Sequence, residues 1–91
     1  GSRVFANEIL FEKILEYILK KDIEKVREEL KSNYIPYDEL YAFLYENVGR
    51  TKQPGAAILG IGEHLYRNTT VAIKEINFMH MIVDFIYNKV I

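Results

Sequence analysis

The chain has 91 residues, 12 Lys plus Arg against 13 Asp plus Glu, and no Cys. This length makes one small domain, and the near-zero charge excludes a strongly basic module that holds nucleic acid by neutralising phosphates. The missing Cys excludes disulfide frameworks, thiolate zinc sites and cysteine nucleophiles. Hydrophobic residues make up 49% of the sequence, with 7 Tyr and 5 Phe supplying bulk, so composition favours a folded chain over a disordered one. A domain of this size buries only about 60–65% of its unfolded surface, so every element must contribute to a single core. No run of 18 apolar residues occurs, and the N-terminal stretch carries Glu8 and Glu12, so neither a membrane span nor a signal peptide is expected. Gly1-Ser2, with no Met before them, read as a cloning scar, and residues 3–91 as one domain of a longer protein.

The periodicity is helical throughout and predicts five helices. The first covers about Asn7 to Lys20, with Asn7 as its N-cap and Leu10, Phe11, Ile14, Tyr17 and Ile18 on its apolar face. The second covers about Ile23 to Asn33, capped by Asp22, with a narrow stripe of Ile23, Val26 and Leu30 and a charged remainder that reads as a solvated face. The third follows Ile35-Pro36 and ends near Val48-Gly49, with Gly49 expected in the left-handed C-terminal conformation. Leu40, Phe43, Leu44 and Val48 point inward; Tyr37, Tyr41 and Tyr45 follow one edge of that face at i, i+4, i+8. Pro54 suits the first turn of the fourth helix, which runs to about Arg67. There Ile58, Ile61, Gly62 and Leu65 share a face. Gly62 costs about 1 kcal/mol against Ala in helix propensity, so a neighbouring helix is expected to come very close to it.

Thr69 or Thr70 is expected to cap the fifth helix, which would run to the C-terminus, roughly 30 Å in all. At 100° per residue it carries two apolar stripes. Ala72, Ile73, Ile76, Met79, Val83, Tyr87 and Val90 form one, expected to face the core. Phe78, Met81 and Phe85, bridged by Ile82, form a second on the opposite side. A helix apolar on two sides is buried on two sides, either at the centre of its own domain or against another chain. Aromatic and Met side chains are common in interface cores, so Phe78, Met81, Ile82 and Phe85 are expected to meet a neighbouring subunit, with Tyr37, Tyr41 and Tyr45 as secondary contacts.

No chemical site emerges. His64 and His80 stand 16 apart without zinc-protease spacing, and His80 is expected to be hydrogen-bonded and partly buried towards the core stripe. The glycines between Gly55 and Gly62 lack the Lys of a phosphate loop. The only Ser residues are Ser2 and Ser32, and no carboxylate pair has an apolar setting that would suit acid catalysis. No catalytic, cofactor-binding or metal residue is therefore expected in this chain.

From Ile61-Gly62-Glu63 through Tyr66-Arg67 to Glu75-Ile76-Asn77-Phe78, the order of residues resembles the C-terminal domain of clamp-loader small subunits, the replication factor C family and its phage relatives. The hairpin from Leu15 to Leu30 with its Lys20-Lys21-Asp22 turn, and the helix from Tyr37 to Val48, look similar too. Val71, Ile73 and Asn77 depart from the family pattern, in which Gly, Asn and Gln are usual. The resemblance implies an all-α five-helix collar that holds AAA+ ATPase subunits in a ring for DNA replication. It implies no catalysis in this chain, with ATP and Mg bound by N-terminal modules outside it. It implies other clamp-loader subunits as partners, a homo-oligomer when the domain stands alone, and contact with sliding clamp and DNA only through the parent protein. The setting implied is intracellular, the cytoplasm of a prokaryote or of a phage-infected cell. Two other readings stand beside it. A helical nucleic-acid-binding module would use helices three and four, although residues 51–91 carry only Lys52, Arg67, Lys74 and Lys89 as strong cations against Glu63, Glu75 and Asp84. A monomeric adaptor would dock a partner helix in a groove.

Overall fold

The computed structural model describes residues 7–91; Gly1-Ser2, read above as a cloning scar, and Arg3 lie outside them. Five α-helices follow one another: α1 (Glu8–Leu19), α2 (Ile23–Ser32), α3 (Tyr37–Glu46), α4 (Pro54–Asn68) and α5 (Lys74–Tyr87), with a 3₁₀ turn at Val48–Arg50. No strand occurs among the described residues, and the all-α bundle expected from the periodicity is the fold observed. α1 packs on α2 and α3, α3 on α4, α4 on α5, and α5 closes back on α2.

Local chemistry sets most of the helix ends. The Asp22 side chain accepts from the Lys25 amide at 3.2 Å and opens α2 as expected. Asn7, expected to cap α1, makes no side-chain cap bond. Both α1 and α5 end in a doubly bonded left-handed turn. Lys21 and Lys89 adopt φ of 62° and 58°, and the amides that follow them reach back to Tyr17 and Phe85 carbonyls. Gly49 takes no left-handed conformation; α3 stops because Asn47 turns its side-chain amide back onto the Phe43 carbonyl, and the chain tightens into the 3₁₀ turn. α5 is shorter than expected: 14 residues, or about 21 Å. Thr69 and Thr70 do not start it. Their hydroxyls bond the Tyr66 and Arg67 carbonyls and terminate α4 instead.

The core gathers Phe11, Ile14, Leu15 and Ile18 of α1, Val26 and Leu30 of α2, and Leu40, Tyr41, Phe43 and Leu44 of α3. On α4 the buried face is Ala57, Ile61, His64 and Asn68, rotated from the expected one; Ile58 and Leu65 are exposed. Gly62 meets nothing within 4 Å, whereas Gly60 touches the Phe85 ring: a Cβ there would lie 2.7 Å from Cζ. The close approach expected at Gly62 therefore occurs two residues earlier, where α5 presses an aromatic ring against the α4 backbone. Val90 and Ile91 are buried beyond α5, and the Val90 carbonyl accepts from the amides of Lys52 and Gln53.

Candidate assembly face on α5

The two stripes of α5 are both real, but their roles are exchanged. Phe78 and Met81 are 0% exposed, Ile82 1% and Phe85 5%. The Phe78 ring lies 5.5 Å from that of Tyr41 and 6.0 Å from that of Tyr37; the Phe85 ring seals against Gly60. These four side chains therefore cannot carry a subunit interface: they are the apolar centre that α5 shares with α3 and α4. Large flat side chains fill such a centre with more buried area than branched aliphatics do. Tyr41 is fully buried as well, so it too is core. Tyr37 is half-buried, and only Tyr45, of the seven residues proposed for the interface, is mainly exposed.

Most of the stripe expected to face inward faces out instead; Val90, beyond α5, is buried as expected, and Met79 packs partly against the core. Ile73 is 58% exposed, Ile76 61% and Tyr87 81%, with Ala72 exposed and Val83 half-buried in the same band. A shallow hollow of about 410 Å³ opens on it, lined by Arg67, Val71, Ala72, Ile73, Ile76, Asn77 and His80. Its floor is almost wholly apolar. Arg67 and Glu63 mark the α4 edge of this region and hold each other at 2.7 Å. On the same face of α4 as Glu63, Leu59 and Tyr66 stand one on either side of it along the helix, each more than three-quarters exposed.

Beneath the hollow runs a set of polar contacts. Asn77 is buried and donates to the His64 carbonyl at 2.8 Å and to Tyr41 Oη at 3.2 Å, tying α5 to α4 and α3 at once. Burial pushes the Tyr41 hydroxyl well above the usual tyrosine range, with Tyr37 beside it adding to the rise and the Asn77 bond opposing it. Tyr37 is raised to about 12, mainly by burial and secondly by the Glu75 carboxylate. His64 is buried, with Nδ1 2.8 Å from the Gly60 carbonyl and Nε2 3.2 Å from Nδ1 of the exposed His80. His80, expected to be partly buried, stands instead at the rim. The small residues Ala56, Ala57 and Gly60 on one side of α4 are the sequence signal that could have located this α4–α5 contact.

Comparison of the chain with family models, curated proteins and solved structures finds no match in any of the three. Among the described residues no helix is long and apolar enough to cross a membrane.

Proposed function

We propose that this chain is a helical assembly domain, acting as the collar of a DNA clamp loader that keeps ATPase subunits together during replication. The observation that carries the reading is the exposed apolar band of α5, built on Ile73, Ile76 and Tyr87. Isolated exposed apolar residues need no explanation, but a band at helical spacing with a hollow beside it fits an interface. The resemblance of residues 61–78 to clamp-loader small subunits supplies the particular assembly.

The occupant is a second copy of this chain or a sister subunit. The net charge of −1 leaves little self-repulsion, and Lys74, Glu75 and Asp84 give α5 both signs of charge. The α5 band and the Leu59–Tyr66 patch of α4 are unlike surfaces. A ring needs such a pair, because each subunit offers one face forward and a different one back. Tethering through these faces would hold the attached modules at high effective concentration.

Solution mass tests this. Wild type is expected to gain mass over a roughly hundredfold rise in concentration, while Ile76→Glu and Leu59→Glu each stay monomeric with unchanged circular dichroism. An equal mixture of the two variants is expected to form a dimer and stop there, since each keeps one intact face. A wild-type mass of one chain at every concentration overturns the reading.

A further inference from the structure

We propose that His64 and His80 form a two-imidazole chelate for a divalent transition-metal ion, linking α4 to α5 at the rim of the apolar hollow. The inference is independent of the assembly reading.

The protonation pattern of the pair follows from its partners. His64 Nδ1 faces the Gly60 carbonyl at 2.8 Å, and a carbonyl only accepts, so Nδ1 carries the proton. In the neutral ring Nε2 is then a bare lone pair. That is the state a metal requires of histidine, and a backbone carbonyl on the other ring nitrogen is the usual outer partner that fixes a ligating imidazole. Burial of His64 and the i, i+4 contact to Gly60 hold this lone pair in place on the helix.

His80 supplies the second donor. Its Nδ1 stands 3.2 Å from His64 Nε2, with the two rings inclined at 62°. Two metal–nitrogen bonds of about 2.05 Å closing on that span subtend roughly 100° at the ion, near the tetrahedral angle. Without metal, His80 Nδ1 donates its proton to His64 Nε2. With metal, that proton moves through solvent to Nε2 of His80, leaving Nδ1 free to ligate. Imidazole donors suit zinc, nickel and copper over magnesium or calcium.

Two protein donors leave the remaining coordination positions open. Among the described residues, no group of three or more His, Asp or Glu is placed to hold an ion, so water or a donor from outside the chain fills them. The nearby guanidinium of Arg67 is held by Glu63 at 2.7 Å, which offsets its repulsion of a cation. A bound ion would brace the α4–α5 contact, and the fold would gain stability by mass action.

The experiment is a zinc chloride titration of the chain, followed by calorimetry and by nitrogen NMR of the imidazole rings. Saturable uptake of one ion per chain is expected, with His64 Nε2 and His80 Nδ1 the nitrogens that shift and His64 Nδ1 keeping its proton. His80→Ala, at an exposed position, is expected to weaken uptake about tenfold or more and to abolish the zinc-induced rise in Tm. The proposal is overturned if no saturable uptake occurs at millimolar zinc, if other nitrogens or surface carboxylates account for it, or if His80→Ala binds equally well. If the variant is misfolded by circular dichroism, the wild-type nitrogen shifts decide alone.

Discussion

The two sides of α5 have the same hydropathy and opposite fates. One side carries Phe78, Met81, Ile82 and Phe85 and is sealed by α3 and α4; the other carries Ile73, Ile76, Val83 and Tyr87 and meets solvent. Period and polarity do not distinguish them. What does is the fit of each side to its surroundings. Aromatic rings at Phe78 and Phe85 have counterparts in Tyr41 and in the side-chain-free backbone of Gly60, whereas Ile76 and Ile73 stay mainly exposed among the described residues.

The sharpest way to break this contrast is to truncate the sealed side. Phe78→Ala is expected to cost about 3–5 kcal/mol, because it removes a fully buried ring and leaves a void between α3 and α5. Urea unfolding measures it; a loss below about 1 kcal/mol would show that Phe78 is not central to the core.

The two glycines of α4 extend the comparison. Gly60→Ala is expected to destabilise by about 1–3 kcal/mol, since its Cβ must displace the Phe85 ring. Gly62→Ala, with open space around it, is expected to stabilise by about 1 kcal/mol through helix propensity. Thermal melts of the two variants should move in opposite directions.

A last contrast appears only at high pH. Tyr37 is raised to about 12 and Tyr41 is raised further, against about 10 for an unfolded tyrosine. A folded-state value above the unfolded one means that the stability is fully present below pH about 10 and falls as pH rises beyond it. Ultraviolet titration is expected to show two late-ionising tyrosines, with a loss of stability over the same range. In Asn77→Ala the buried Tyr41 hydroxyl loses a stabilising donor, and its ionisation should move later still.

Much of the fold was legible in the sequence. Asp22 announces α2, Pro54 opens α4, and the faces built on Phe11, Ile14 and Ile18 and on Leu40, Phe43 and Leu44 follow helical spacing. Which stripe of α5 is sealed is legible only as a choice between two, and the choice depends on contacts between helices far apart in sequence. Asn77 illustrates why. A polar residue beside Phe78 marks no face by itself; it is buried because Tyr41 and the His64 carbonyl receive its protons, and those partners lie 36 and 13 positions away. His64 was missed for the same reason, since its burial requires Gly60 and His80 together. The start of α5 is not legible because Thr69 and Thr70 serve equally well to begin a helix or to finish one, and here they finish α4.

The Val90 carbonyl accepts from the amides of Lys52 and Gln53, so the loop before α4 has backbone hydrogen bonds to the segment after α5. The amides of residues 52 and 53 precede α4, and their acceptor follows α5, so the whole antiparallel pair is tied into one circuit. Opening of that loop is expected to be coupled to opening of the pair, with the amides of residues 52 and 53 exchanging together with those of α4 and α5.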